Sequence, residues 1–427
     1  MKKITSIFYL SLFLFNYYSS ASASTILSLQ EAYKLALEKT ETISIQESKL
    51  SQLNEKINQA RGAIYPKFNF HAGFNKQDVA DNSTTKSDQT YLKLNATQPI
   101  FHGLKEFYNL NINKLDYKSQ QEQTGQTKIN LYLQVSQLYY SILSTKSDLQ
   151  NLNEQLELTS LRIKELKERT KVGRTRKADF LTAESQKAIV ASQIDSTNWQ
   201  MTIYKENFAY ITGISDVFNI ELVNPPNTIS YDYYISKSVN EYLKDIDERF
   251  DVKSIKTQIE SSKENISNAK SNRYPSIDLN GNYYLQRSAT TINSTIKPSK
   301  WDVGITLTMP LFDGMVTTAQ VAEATSKYSE KRLQYSQLKR QAEQEIKIAY
   351  DKIKSGSSQL RAIQEAIKAA DKAYKEQLKD YRNGLASNLD VLQSQNTLLD
   401  AKKNYDRTRY QILISISELQ VASGKIR

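Results

Sequence analysis

Two stretches of the chain carry an apolar column that advances in alternating steps of four and three residues. The first column consists of Leu131, Val135, Leu138, Ile142, Thr145, Leu149, Leu152, Leu156, Thr159, Ile163 and Leu166. The second consists of Ala342, Ile346, Ala349, Ile353, Gly356, Leu360, Ile363, Ile367, Ala370, Tyr374 and Gln377. This heptad spacing is typical of coiled-coil helices, and it predicts a left-handed supercoil because 3.5 residues per turn is below the natural period of a helix.

The positions of proline and glycine set the lengths of the predicted helices. No proline occurs in residues 100–224 or from residue 311 onward, and proline in a helix interior costs about 3 kcal/mol. Each half therefore accommodates one helix of about 70 residues, roughly 100 Å, which ends near Gly173 or Gly384. A returning helix of about 35 residues then runs to near Gly213 or Gly424, and a shorter helix, about residues 29–63 or 239–273, precedes each unit.

The same landmarks occur twice along the chain. Gly103, Gly173 and Gly213 recur 211 residues later as Gly314, Gly384 and Gly424, and Tyr65-Pro66 recurs 209 residues later as Tyr274-Pro275. A fixed offset of this kind indicates a tandem duplication. We therefore predict a first repeat at residues 24–213, a linker at 214–238 and a second repeat at 239–427.

Between the predicted helices lie two hairpins, at about residues 66–100 and 275–311, in which apolar and polar residues alternate. The apolar positions that we expect to face lipid are Phe68, Phe70, Phe74, Leu92, Leu94, Ile277, Leu279, Trp301, Val303, Ile305 and Leu307. Segments of about ten alternating residues are typical of transmembrane β-strands. The alternation by itself favours a soluble four-stranded sheet with one wet face, but an export signal and the placement of each hairpin between long helices reverse this preference in favour of the membrane.

The export signal is at the start of the chain. Lys2 and Lys3 precede a short apolar run, and Ala21-Ser22-Ala23 follows it, which predicts a signal peptide at residues 1–23 with cleavage after Ala23.

The predicted strands are too few to form a closed barrel in one chain. Four strands cannot close a barrel, and an open sheet edge is not tolerated in lipid. Because known barrels begin at eight strands, closure requires at least two chains, and composition does not choose between two and three.

Composition excludes several other functions. The chain has no Cys and only two His, so we expect no metal site, no cofactor and no catalytic triad. It also lacks a glycine-rich phosphate-binding loop, and we expect no enzymatic activity. The formal net charge is +11, but the charges alternate in sign along the helices, so we expect no binding to nucleic acid.

With these features, the chain resembles the TolC family of outer-membrane efflux and secretion ducts. The resemblance covers the duplicated order of elements, the motifs Gln98-Pro99-Ile100-Phe101-His102-Gly103 and Met309-Pro310-Leu311-Phe312-Asp313-Gly314, and the turns near Gly173 and Gly384. It implies a mainly α-helical fold with a small β part. In such a fold, long coiled-coil helices form an α-helical barrel below a transmembrane β-barrel with four strands per chain, or twelve in a homotrimer.

The resemblance also implies a function. Such a duct lies in the outer membrane of a Gram-negative bacterium and extends into the periplasm. It passively conducts substrates from an inner-membrane transporter and a periplasmic adaptor to the exterior, in a tripartite efflux or type I secretion system. Two other interpretations of the helices are a periplasmic coiled-coil adaptor or scaffold, and a structural rod. The sequence shows neither the lipoyl-like unit nor the inner-membrane anchor expected of an adaptor.

Specific roles at the periplasmic entrance follow from the resemblance. It implies that Tyr381 and Asp179 link neighbouring helices and that Asp390 forms an acidic ring at the constriction. Ala386 stands where the family has an arginine of the lock, and Gln393 stands where it has a second acidic ring, so we expect a looser and less acidic gate. The residues expected to contact the adaptor are Val172, Gly173, Arg174, Gly384, Leu385, Ala386 and Ser387. From the residues alone, Asp390 is equally an ordinary acid in the first turn of a helix.

Overall fold

The computed structural model describes residues 25–76, 88–173, 175–226, 231–287 and 299–424. The predicted signal peptide, Arg174 and most of the loop within each predicted hairpin lie outside these ranges. No helix in the described ranges combines the length and the hydrophobicity needed to cross a bilayer.

The helices follow the same order in both halves. The helices are α1 (Leu29–Lys39), α2 (Glu41–Gly62), α3 (Lys105–Lys171), α4 (Lys177–Thr212), α5 (Tyr231–Ser236), α6 (Val239–Leu243), α7 (Phe250–Ser271), α8 (Val316–Arg382) and α9 (Asn388–Ala422). The long helices α3 and α8 each contain 67 residues, about 100 Å, and the returning helices α4 and α9 contain 36 and 35. The predicted long and returning helices are confirmed.

The helices that precede each hairpin differ from the prediction. The predicted helix 29–63 is interrupted at Thr40, whose backbone is extended and whose hydroxyl donates to the carbonyl of Ala36. The predicted helix 239–273 is continuous only from Phe250, because Arg249 is also extended. The guanidinium of Arg249 donates to the carbonyl of Ala422 at the end of α9, at 2.9 Å, and to Glu345 at 3.0 Å. This contact joins the end of α9 to the start of α7.

The strands form two sheets. They are β1 (Thr25–Leu27), β2 (Lys67–Lys76), β3 (Asp88–His102), β4 (Ile220–Leu222), β5 (Ser276–Arg287) and β6 (Trp301–Thr308). The larger sheet is antiparallel with the order β2-β3-β5-β6, and β1 and β4 pair in parallel. β3 runs through Pro99 and slightly past residue 100, the predicted end of the first hairpin. It continues to His102, with the irregular pairing that a proline without an N–H requires between Pro99 and Phe101.

The helices pack side by side around the two long ones. α2 and α4 pack against α3, while α7 and α9 pack against both α3 and α8. The first predicted apolar column has buried members along its whole length, from Val135 to Leu166, whereas the second is buried mainly in its first half, including Ile346 and Ile353. Beyond Leu360 the second column is only half-buried, so the part of α8 farthest from the sheet has fewer neighbours within the described chain.

Candidate functional site

The four-stranded sheet has one apolar face that no other element in the described ranges covers. Its register places Phe70, Leu94, Tyr283 and Trp301 in one row across the strands. Phe68 is 77% exposed and Ile305 is 73% exposed. Of the residues predicted to face lipid, Phe70, Phe74, Leu94, Trp301, Val303 and Leu307 are also exposed, while Leu92, Ile277 and Leu279 are half-buried.

The opposite face of the sheet carries hydrogen-bonded rows of polar side chains. Asn95 donates to Asn282 at 3.2 Å, and Asn282 donates to the carboxylate of Asp302 at 2.8 Å. A parallel row runs through Thr97, Asn280 and Thr306, with contacts of 3.1 and 3.3 Å. One face of the sheet is therefore suited to an apolar medium and the other to water.

Each long helix ends at a tight turn, and we call these two turns the tips. Gly173 and Gly384 have φ of 70° and 78°, a left-handed conformation that side chains disfavour, so glycine allows the chain to reverse there. Val172 and Leu385 are exposed at the tips, Leu385 by 79%, whereas Ala386 packs against the small core formed by Leu166, Ala183, Tyr381 and Val391.

Asp390 lies in the first turn of α9 and is bound to the residue that caps that helix. Its carboxylate accepts hydrogen bonds from the backbone N–H and the hydroxyl of Ser387, at 2.8 and 2.7 Å, and the Ser387 hydroxyl accepts from the Asp390 N–H. These bonds hold the pKa of the Asp390 carboxyl below its usual value, so it stays charged. Gln393, three residues further along α9, is exposed on the same side.

The predicted partners Tyr381 and Asp179 are not hydrogen-bonded to each other within one chain. Tyr381 is buried, and its hydroxyl has no hydrogen-bond partner among the described residues. Asp179 instead accepts from the guanidinium of Arg176 at 3.2 Å. Inside a single chain, the Tyr381 ring therefore contributes to the tip by packing rather than by its hydroxyl.

Two arginines that the sequence analysis missed hold Tyr381 in place. The guanidinium carbons of Arg162 and Arg169 lie 4.0 and 4.8 Å from the centre of the Tyr381 ring. Arg162, which is only 6% exposed, also donates to the side chain of Asn388 at 3.0 Å and to Glu165 at 2.8 Å. We call Arg162, Glu165, Arg169, Tyr381 and Asn388 the tip cluster.

The tip cluster links all four helices at this end of the molecule. Arg162, Glu165 and Arg169 belong to α3, Tyr381 to α8 and Asn388 to α9, and the Asn388 side chain donates to the backbone carbonyl of Asp179 in α4 at 3.4 Å. The sequence signal was the i, i+3, i+7 spacing of three charged residues beside the apolar column. That spacing matches a helix face, but such a face is normally solvated.

Together these features define a class of protein. An uncovered apolar sheet face with a polar reverse face, continued by helices of about 100 Å that end at a clustered tip, is the architecture of a subunit of an envelope-spanning channel. No group of three His, Cys, Asp or Glu side chains in the described ranges is placed to hold a metal ion.

Comparison with known proteins identifies the family. The family model for outer membrane efflux proteins matches residues 32–203 and 244–425, and the chain belongs to this family. It is 23% identical over 408 residues to "Outer membrane protein TolC" of Vibrio cholerae, covering 93% of this chain and 91% of that protein.

Solved structures have the same fold. The outer membrane protein VceC of Vibrio cholerae superimposes with a TM-score of 0.81 at 16% identity, covering 93% of this chain and 96% of VceC. The CmeC outer membrane channel of Campylobacter jejuni gives 0.82 at 17% identity, covering 93% of this chain and 85% of CmeC. The protein is thus an outer-membrane exit duct of an efflux system that extends into the periplasm, and its family is one of channels rather than enzymes. The adaptor or scaffold interpretation has no support.

Proposed function

We propose that three copies of the chain form one closed channel with twelve strands, four from each copy. This channel passively conducts substrates from an inner-membrane transporter and a periplasmic adaptor to the exterior, in tripartite efflux or type I secretion. The observation that carries the proposal is the sheet, because its apolar face is uncovered and its outer strands β2 and β6 each have only one partner within the described chain. Lipid cannot hydrogen-bond to a free strand edge, so the edges require other copies.

The parts of the chain take the following places in this proposal. The signal peptide at residues 1–23 is removed, and the repeats 24–213 and 239–427, joined by the linker 214–238, each supply one hairpin and one set of helices. The hairpins at about 66–100 and 275–311 cross the bilayer with Phe68, Phe70, Ile305 and the other apolar positions towards lipid. The polar rows of the sheet then line a water-filled lumen.

The tips form the regulated entrance. Asp390 and Gln393, exposed on one side of α9, line the constriction, and Asp390 supplies the negative charge. The tip cluster keeps the four helix ends together and takes over the role of the arginine that is absent at Ala386. The Tyr381 hydroxyl is buried and lacks a partner within the described chain, so its link to Asp179 of a neighbouring copy requires a movement of the tip that exposes it.

The exposed tip residues form the contact with the adaptor. Val172, Gly173, Gly384, Leu385 and Ser387 lie on the two turns. Ala386, which packs on the small core, and Arg174, outside the described ranges, complete the set. The apolar side chains of Val172 and Leu385 have no cover in the described chain, which fits a docking partner better than bulk water.

Copurification from crosslinked cells tests this assignment. The tagged chain is purified from the outer-membrane fraction after crosslinking, and its partners are identified by mass spectrometry. We expect an inner-membrane transporter and a periplasmic adaptor. Val172→Ser combined with Leu385→Ser should lose the adaptor, whereas Lys164→Ser, on the exposed shaft of α3, should retain it. Recovery of the chain only from the soluble periplasm, or without any transporter, would contradict the proposal.

A further inference from the structure

The two hairpins of the chain have the same pairing register. Phe68 pairs with Ala96 in the first hairpin and Ile277 pairs with Leu307 in the second. These positions correspond at offsets of 209 residues for the first strand and 211 for the second. The pair Lys67–Thr97 corresponds to Ser276–Thr308 in the same way, so the duplication extends to the register of the strands.

The two hairpins of one chain are themselves paired with each other, and we call such strand pairing between two hairpins a joint. β3, the second strand of the first hairpin, pairs with β5, the first strand of the second hairpin, and Ala96 lies opposite Gly281. The next joint around a barrel would bring β6 beside β2 of another copy. By the same offsets, Leu307 in β6 corresponds to Ala96, and Ala72 in β2 corresponds to Gly281.

We infer that β6 pairs with β2 of a second copy of this chain in the register that the internal β3–β5 joint defines. Leu307 then lies opposite Ala72 of the neighbouring copy, with Met309 opposite Phe70 and Ile305 opposite Phe74. This inference rests on the proposed trimer and goes beyond it, because it specifies which residues meet at each seam.

The chemistry of the opposed residues is consistent with this register. All three pairs place apolar residues together on the apolar face of the sheet. On the other face, Thr308 lies opposite His71. A slip of one residue would place the apolar positions of one strand opposite the polar positions of the other. A slip of two residues would preserve the faces, so a second observation is needed to exclude it.

The turn after each hairpin supplies that observation. Gly103-Leu104 and Gly314-Met315 have nearly identical left-handed backbones, with φ of 64° and 65° in the first and 64° and 66° in the second. The first turn packs closely on α7: a Cβ on Gly103 would lie 2.7 Å from the Ser271 carbonyl oxygen and 3.1 Å from Tyr274.

The second turn has the same shape but no neighbour. Nothing among the described residues lies within 4 Å of a Cβ built on Gly314, and Leu311 is 91% exposed. The counterparts of Ser271 and Tyr274 are Gly62 and Tyr65, and Tyr65 is itself 64% exposed. Seating Gly62 and Tyr65 of the neighbouring copy against Gly314 fixes the position of β2 along β6 and excludes the two-residue slip.

Cysteine crosslinking in isolated outer membranes tests the register, and the chain contains no native Cys to interfere. A disulfide requires Cα atoms within about 7 Å, which directly opposed residues satisfy and residues displaced by two do not. We expect Leu307→Cys with Ala72→Cys to give covalent dimers and trimers on oxidation. Leu307→Cys paired with Phe70→Cys or Phe74→Cys should give little product.

The internal joint is the matched control. Ala96→Cys with Gly281→Cys should form a disulfide within one chain and no covalent oligomer. A stronger crosslink from either displaced pair, or no interchain crosslink in a preparation whose native mass is that of a trimer, would overturn the register alone. A native mass of one chain would overturn the proposed trimer as well.

Discussion

Asp390 combines two physical roles at the tip. Its carboxylate completes the cap of α9 with Ser387, and in the proposed channel three such carboxylates face one another. Carboxylates brought this close repel one another, although solvent screens the repulsion. A cation that enters the ring relieves this repulsion, which gives the constriction a measurable affinity for cations.

Mutation separates the two roles of Asp390. Asp390→Ala should weaken the block of single-channel current by multivalent cations, recorded in planar bilayers, because the charge is lost. Ser387→Ala is the control: it removes the cap, at a cost of about 1 kcal/mol, and leaves the carboxylate in place, so block at neutral pH should persist. Equal cation block in Asp390→Ala and in the native channel would show that Asp390 does not line the constriction.

The pH dependence of this block has a definite sign. The hydrogen bonds from Ser387 lower the pKa of Asp390, so the native carboxylate stays charged as the pH falls, until the pH passes this lowered value. In Ser387→Ala the pKa returns towards the ordinary value of 3.8. Cation block should therefore disappear at a higher pH in Ser387→Ala than in the native channel. The same midpoint in both proteins would show that Ser387 does not stabilise the charge.

Arg162 is the residue on which the tip cluster depends most. Arg162→Ala would leave the Asn388 side-chain oxygen and the Tyr381 ring without this buried partner, and an unsatisfied buried polar group typically costs about 1 to 3 kcal/mol. We expect faster hydrogen exchange of the amides of residues 383–395 and a larger resting conductance. Lys164→Ala, two residues away and exposed, should change neither quantity. Unchanged amide hydrogen exchange in Arg162→Ala would show that the tip cluster does not hold the helix ends together.

At the scale of elements, one glycine determines how closely α8 and α9 approach. A Cβ on Gly356 would lie 2.7 Å from Cγ1 of Ile412, which is buried. Gly356→Ala should therefore lower the thermal stability of the extracted protein, although alanine is the better helix former by about 1 kcal/mol. Ser355→Ala, on the exposed side, should not lower it. Combining Gly356→Ala with Ile412→Ala should recover part of the loss, and strict additivity of the two substitutions would contradict the contact.

The long elements were predictable because their signals are local. Proline-free heptads and the glycines at their ends predicted α3, α4, α8 and α9, and period-two alternation predicted the four strands of the larger sheet, whereas the short strands β1 and β4 were not predicted. The breaks before α2 and α7 were not predictable in this way. The backbone at Arg249 is fixed by contacts with Glu345 and Ala422, which are distant in sequence, and the continuation of β3 past Pro99 depends on pairing with β5.

The candidate site was predictable to a smaller extent. The sequence indicated the turns at Gly173 and Gly384, because glycine permits the left-handed backbone of a helix end, whereas Leu385 was assigned to the tip only through the family resemblance. It did not indicate that Arg162 and Arg169 enclose Tyr381, since a charged residue beside an apolar column is usually solvated. Nor did it indicate that the Asp390 carboxylate is bound by Ser387, although serine followed three residues later by an acid is a capping-box pattern.

At the scale of the whole molecule, a single chain is incomplete in two ways. Among the described residues, its sheet has an uncovered apolar face and two strands with one partner each. The helices α2 and α4 lie on one side of the helical layer, while α8 lies on the other. The internal β3–β5 joint and the packing of α3 on α7 give the geometry that further copies would repeat. Closure by identical copies would pair the free strand edges and cover the half-buried second half of the second apolar column.

The native mass of the protein extracted from the outer membrane in mild detergent tests this account most directly. We expect a complex of three chains that resists dissociation until heated and forms conducting channels in planar bilayers. A monomer that is stable in water without detergent, with Phe70 and Ile305 buried in its own interior, would contradict the membrane-spanning sheet and with it the proposed gate.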